Sequence, residues 1–274
     1  MGDTLVRMDK IAKRFGGKLA LRDAWLELRS REVLGVVGDN GAGKSTLLKV
    51  LAGVLFADKG TILLRGRPVA IRSPRDAQAL GVEMVYQDFA LCPNMTVWEN
   101  VYLGRYVRTS IRRWKIPFLA KAAMRSHVLE ILHELGIELN SVNEPVRCLS
   151  GGQQQAVAFC RSLLFNSTIL LLDEPTASMA VLEQEKILAL IRRFRERGKS
   201  VVMVTHNLNE LFQVADRALV LKEGKTIWCG PLQGLTPGDL AHMMFVGRSE
   251  SLDHVHRQCE VPAARAHRAD GQQG

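Results

Sequence analysis

Apolar residues recur along the chain with two periods, and the switches between them mark the elements. Thr4-Leu5-Val6-Arg7-Met8-Asp9-Lys10 alternates apolar and polar positions, and after Phe15-Gly16-Gly17 a second strand is expected over 21–28, giving an antiparallel edge. Val33-Leu34-Gly35-Val36-Val37 is apolar throughout and predicts a short buried strand. The stretch 46–53 carries its apolar residues on one face and predicts a helix stopping at Gly53. Turn residues Asp58-Lys59-Gly60 and Arg65-Gly66-Arg67-Pro68 bracket a strand at 61–64, and 81–86 reads as a strand ending at Gln87.

From about 88 to 150 strand patterning gives way to helical patterning at 97–103 and 118–135, with Val128, Ile131, Leu132 and Leu135 on one face of the second. This predicts an all-helical subdomain inserted into an α/β core. The core resumes with a helix beginning near Ser150 and a strand at 167–172. A helix follows with Ile187, Leu190, Ile191 and Phe194 at i, i+3, i+4 and i+7. A strand at 200–204, a short helix at 208–214 and a hairpin-like pair, 217–221 and 225–228, complete the core. Strands alternating with helices imply a mainly parallel sheet covered on both faces. The expected division is a core of 1–87 and 151–246, a helical subdomain of 88–150 and a polar, disordered tail of 247–274.

The chemistry concentrates where strand 33–37 meets helix 46–53. Between them runs Gly38-Asp39-Asn40-Gly41-Ala42-Gly43-Lys44-Ser45-Thr46, and strand, glycine-rich loop and helix in that order form a phosphate-binding loop. Loop N–H groups and the helix N-terminus can point together at an anion. Lys44 is expected to reach the β- and γ-phosphates, and the Ser45 hydroxyl to complete a Mg²⁺ shell. The loop is not repeated, so one nucleotide-binding half is expected per chain. A second anchor is Thr168-Ile169-Leu170-Leu171-Leu172-Asp173-Glu174, an apolar strand delivering two acids to the carboxyl edge of a parallel sheet, where ligands bind in such folds. Asp173 can hold Mg²⁺ directly or through water, and Glu174 can take the proton of an attacking water.

Composition narrows the class. The 274 residues are 47% hydrophobic and 24% charged, as in ordinary globular proteins. No apolar run approaches the roughly 18–20 residues of a membrane-spanning helix. Met1-Gly2-Asp3-Thr4 lacks the regions of a signal peptide, so the chain is not expected to cross a bilayer by itself. Cysteines at 92, 148, 160, 229 and 259 are odd in number and form no C-x-x-C pair, which fits incidental thiols in a reducing compartment. The net charge of +9 is uneven: Arg105, Arg108, Arg112, Arg113, Lys115, Lys121 and Arg125 form a run without one acid. Such a run suits nucleic acid, anionic lipid, an acidic partner or a solvated helical face, and charge alone does not choose.

Leu149-Ser150-Gly151-Gly152-Gln153, taken with the phosphate loop, Gln87, Asp173-Glu174 and His206 in that family's order, resembles the signature set of the ATP-binding cassette (ABC) ATPases, over about 4–246. Ser150, Gly151 and Gly152 open a helix with free N–H groups and a hydroxyl, a second anion site. The resemblance implies an ATPase using ATP and Mg²⁺, with a P-loop NTPase core, an antiparallel β edge and the helical insert. It implies that two cassettes pack head to tail, each presenting its signature helix to the γ-phosphate held by the other. A homodimer is the simplest arrangement. Phe15 matches the aromatic that stacks on adenine, Gln87 the glutamine that touches Mg²⁺ and the lytic water, and His206 the histidine that contacts the γ-phosphate.

Two departures from the common family pattern sharpen the resemblance. Ala177-Ser178-Met179-Ala180 stands where Ser-Ala-Leu-Asp is common, so the aspartate that usually joins the two sites is missing. Ala156-Val157-Ala158 follows Gln155 where many members have arginine. With the run from Met84 to Leu91, these features look like the ATPases of bacterial simple-sugar importers. The implied role is a peripheral subunit on the cytoplasmic face of the cell membrane, bound to integral-membrane permease subunits. An extracytoplasmic solute-binding protein would act indirectly, and no nucleic acid is expected. An amino-acid importer ATPase is the nearest alternative. A soluble ABC protein usually carries two cassettes or a long coiled-coil insertion, a P-loop kinase or GTPase leaves the signature helix unexplained, and a non-catalytic cassette leaves Lys44, Asp173, Glu174 and His206 unexplained.

Overall fold

The computed structural model describes residues 3–85, 91–110, 117–164, 167–177 and 179–246. In chain order its elements are β1 (Thr4–Phe15), β2 (Lys18–Arg29), β3 (Val33–Val37), α1 (Lys44–Leu51), β4 (Lys59–Leu64), β5 (Arg67–Val69), α2 (Pro74–Ala79) and β6 (Val82–Val85). Next come α3 (Val97–Val101), β7 (Arg108–Ser110), β8 (Pro117–Leu119), α4 (Lys121–Leu135), α5 (Gly151–Leu164), β9 (Ile169–Asp173) and α6 (Val181–Glu196). The chain continues through β10 (Ser200–Val204), α7 (Leu208–Val214), β11 (Arg217–Lys222), β12 (Lys225–Pro231) and α8 (Pro237–Val246).

The central sheet has the order β12-β11-β3-β10-β9-β6, with only β12 antiparallel to its neighbour. Its inner strands are apolar at nearly every position because both faces are covered, and successive side chains divide between the two sides. Leu170, Leu172, Val201 and Met203 join a core with α3, α4, α5 and α6. Ile169, Leu171, Val202 and Val204 face the other way, into a core with α1 and the second sheet. That second sheet, β2-β1-β4-β5, is antiparallel. The β11–β12 turn stitches it to the phosphate loop: the Gly224 N–H donates to the Ala42 carbonyl at 2.9 Å, and the Arg22 N–H to the Gly224 carbonyl at 2.7 Å.

Between β6 and β9 the chain is mostly helical but not wholly so. Arg108–Ser110 and Pro117–Leu119 pair as a two-stranded hairpin, which corrects the all-helical expectation for this insert. The Ala120 N–H returns to the Val107 carbonyl at 3.0 Å and closes the hairpin, so α4 starts at Lys121 and not at 118. Periodicity missed this because Phe118 and Leu119 happen to continue the apolar phase of the helix behind them. α4 ends where Gly136 adopts φ 63°, with the Arg193 guanidinium donating to the Leu135 carbonyl across the helix end. α2 and α8 also escaped the pattern; α2 is six residues long and is set by the Ser73 hydroxyl cap and Pro74 at its first position. No helix among the described residues is long and apolar enough to cross a membrane. Gln87, Arg112, Arg113, Lys115, Ser178 and the expected tail lie outside the described residues.

Candidate functional site

The carboxyl edge of the sheet gathers the chemistry because β10 lies between β3 and β9. The loop after β3, Thr205-His206 after β10 and Asp173-Glu174 at the end of β9 therefore converge. Val204 of β10 pairs with both Val36 and Asp173, which puts the three strand ends level.

In the phosphate loop Gly43 takes φ 102°, and a Cβ there would lie 2.7 Å from the Ala20 carbonyl oxygen, so conformation and space both require glycine. Gly41 takes φ 82° with nothing within 4 Å of a built Cβ, so the backbone conformation and not crowding favours glycine there. The Lys44 ammonium is folded back over the loop, donating to the Gly38 carbonyl at 2.7 Å and the Asp39 carbonyl at 3.0 Å. Burial lowers its pKa, opposed by the charges of Glu174, Asp39 and Asp173.

One residue on, the Ser45 hydroxyl donates to Asp173 Oδ1 at 2.8 Å, across 128 positions of sequence. Burial raises the Asp173 pKa, and the bond from Ser45 opposes that shift. A hydroxyl and a carboxylate held together at a phosphate loop are the oxygen donors that a hard divalent cation takes beside waters and phosphate, so these residues fit Mg²⁺. Asn40, Ala42 and Thr46 lie in the loop and on α1 as contiguous neighbours of these groups.

Glu174 has φ 50°, a left-handed backbone that a glutamate rarely adopts. Its N–H donates to the Val204 carbonyl at 3.0 Å, and the turn aims the carboxylate out of the sheet toward His206, with Oε1 3.4 Å from Nδ1. The His206 side chain is 65% exposed and Glu174 26%, so both are open to an incoming group. They line a cavity of about 320 Å³ with Thr176, Gln184, Thr205 and Glu210.

Residues beneath this pair were not singled out from the sequence. The Thr176 hydroxyl bonds to buried Glu210, whose other oxygen accepts from Asn207 Nδ2 at 2.8 Å. Asn207 also caps α7, accepting from the Asn209 and Glu210 N–H groups. The cluster ties the chain after Glu174 to the chain after His206. Asn207 and Glu210 stand three apart at a helix start, a legible capping pattern; the partnership with Thr176 had no local signal.

Phe15 is at the β1–β2 hairpin tip, 47% exposed, with the Lys13 ammonium 5.8 Å from its ring centroid. It is therefore an aromatic face offered to solvent and not a core residue. The stretch Leu149–Gln153 lies elsewhere. Ser150 caps α5, accepting from the Gln153 N–H at 3.3 Å while the Gln153 side chain accepts from the Ser150 N–H at 3.0 Å. Ser150, Gly152 and Gln153 line a separate cavity of about 400 Å³, which shares no lining residue with that of Glu174 and His206. Within one chain the structure brings the loop, Asp173, Glu174 and His206 together and leaves the α5 N-terminus apart. In the basic run, Arg105 donates to Gln78 and Arg125 stacks 5.3 Å over the Trp98 ring, which leaves Arg108 and Lys121 as exposed cations among the described residues.

Comparison with known proteins finds relatives over most of the chain. The family model described as ABC transporter matches residues 21–177. The ribose import ATP-binding protein RbsA of Caldanaerobacter subterraneus subsp. tengcongensis is 41% identical over 262 residues, covering 95% of this chain and 51% of that protein. The xylose/arabinose import ATP-binding protein XylG of Sulfolobus acidocaldarius is 40% identical, covering 82% of this chain and 87% of its own length. The fructose import ATP-binding protein FrcA of Rhizobium meliloti is 40% identical, with 79% and 84% covered. The chain spans about half the length of the ribose relatives it matches. A dimeric ATP-binding cassette solved in a post-hydrolysis state with ADP and phosphate superposes with a TM-score of 0.69 at 28% identity, over 84% of this chain and all of that one.

Proposed function

Because the chain belongs to the ABC transporter family of ATP-binding cassettes, we propose that it hydrolyses ATP to drive import of a simple sugar. The observation that carries the ATPase reading is the 2.8 Å bond from Ser45 to Asp173, which joins the phosphate loop to the strand acids. When bound, Mg²⁺ would supply positive charge that offsets the charge of the phosphates. The chain's own residues do the rest. Lys44 exchanges the Gly38 and Asp39 carbonyls for the β- and γ-phosphates, while the N–H groups of the loop surround them. Phe15 stacks on the adenine. Ser45, Asp173 and Gln87 would hold the metal. Glu174 takes a proton from the attacking water, and His206, 3.4 Å from it, holds the γ-phosphate.

Leu149, Ser150, Gly151, Gly152 and Gln153 serve the nucleotide of a second copy. Their cavity, which shares no lining residue with that of Glu174 and His206, supports this, as does the dimeric cassette with which the chain superposes. Two-fold symmetry then makes two equivalent sites. The insert between β6 and β9 passes closure to permease subunits at the cytoplasmic face of the membrane, and a solute-binding protein outside delivers the cargo. The sugar assignment is supported by relatives named for ribose, xylose/arabinose and fructose import.

The experiment is Glu174→Gln. It should retain ATP binding and lose about 10²–10⁴-fold in steady-state hydrolysis, the usual cost of a general base. ATP should then hold the variant as a dimer on size-exclusion chromatography. Near-normal turnover would remove Glu174 from the chemistry.

A further inference from the structure

The α5 N-terminus already has an anion on it. The Gly152 N–H, one of the free donors at the start of that helix, points to Glu183 Oε1 at 3.4 Å. The glutamate's stem is fitted to the same residue: a Cβ built on Gly152 would lie 3.4 Å from both Cβ and Cγ of Glu183. Glu183 stands in the first turn of α6, three residues after Ala180, and its own N–H donates to the Ala180 carbonyl at 2.9 Å. The carboxylate therefore lies between two helix N-termini, both of which favour negative charge. α6 begins at the end of the short segment that starts with Glu174. The segment after Glu174 and the start of α5 thus meet at one side chain. They meet in a chain whose position 180 is alanine.

We propose that Glu183 is a positioning residue for the shared site: its carboxylate holds the Gly152 N–H until the γ-phosphate on the partner cassette displaces it. This rests on the reading that α5 serves a second copy's nucleotide. Displacement releases the first turn of α6 from the first turn of α5 as the dimer closes. Arrival of the partner's nucleotide is in this way linked to the segment that carries Glu174. Before closure, the bond keeps the signature helix from presenting a fully free anion site.

The test uses the full chain with Glu174→Gln, so that hydrolysis does not consume the nucleotide. Dimer formation is followed against ATP concentration by light scattering. ATP affinity of the monomer is measured separately in a Ser150→Arg background. Glu183→Gln keeps shape and removes charge, while Glu183→Asp keeps charge and falls short of Gly152. Glu183→Gln should close at about two- to fivefold lower ATP, the scale of one charge near an exposed helix N-terminus. Glu183→Asp should shift the same way, and monomer affinity should not move in either. A purely structural glutamate would change the melting temperature and leave the closure midpoint alone. Unchanged midpoints in both variants, or equal shifts in monomer affinity, would overturn the role of Glu183. Closure that survives Ser150→Arg would overturn the cross-protomer reading and this inference with it.

Discussion

Single side chains in this protein are most informative where burial and charge oppose each other. Glu83 on β6 is 8% exposed, and burial raises its pKa above the usual carboxylate value although Arg105 and Arg161 nearby pull it down. Burial lowers the Arg161 pKa as well, so both signs of charge lose hydration there. A carboxyl with a raised folded pKa binds its proton more tightly in the native state. The stability it contributes is complete below the unfolded pKa near 4.5 and declines as pH rises through the higher folded value. Glu83→Gln should therefore flatten the fall in urea midpoint as pH rises above about 4.5, since the amide has no proton to lose. An identical fall in the variant would mean that the arginines fully repay the burial. No part of this was legible in the sequence, where Glu83 was one letter inside a strand. Glu83, Gln78, Arg105 and Arg161 belong to four separate segments. The phosphate loop was legible because its residues are contiguous and their geometry is local; the Ser45–Asp173 bond needed the order of strands.

Elements follow a similar division. β10 and α7 have the bounds that periodicity predicts, because each is a complete apolar pattern ended by a cap or turn. The β7–β8 hairpin did not announce itself, since three-residue strands are too short to show a period. Helix starts carry their own prediction. α6 begins at Ala180, which has extended backbone angles suited to a cap but offers no side-chain acceptor. Neighbouring starts are better served: Thr96 and Glu99 cap α3 reciprocally, and Asn207 caps α7. Ala180→Asp should let a carboxylate accept the free N–H groups of the first α6 turn. Stabilisation of about 0.5–2 kcal/mol is expected, read as a higher denaturant midpoint at unchanged m. A gain absent at neutral pH would indicate that Glu183, already in that turn, repels the new charge.

At the scale of the whole molecule, two cores on opposite faces of one sheet hold the nucleotide edge, while α3, α4 and α5 extend one of those cores into the insert. No described helix is long and apolar enough to cross a membrane, and the residues of the nucleotide site do not identify a cargo. Its identity is argued by kinship. Ala180, the Gln155-Ala156-Val157-Ala158 run and the stretch from Met84 to Leu91 look like simple-sugar ATPases, and relatives near 40% identity carry ribose, xylose/arabinose and fructose import in their names. The same core motifs would serve an amino-acid importer. Deleting the gene and measuring uptake of labelled monosaccharides and branched-chain amino acids separates the two. Sugar uptake should fall while amino-acid uptake holds, and Glu174→Gln supplied in place of the native gene should fail to restore it. The reverse pattern would replace sugar with amino acid as cargo. It would leave the roles proposed for Lys44, Asp173 and Glu174 untouched, since those roles concern the nucleotide alone.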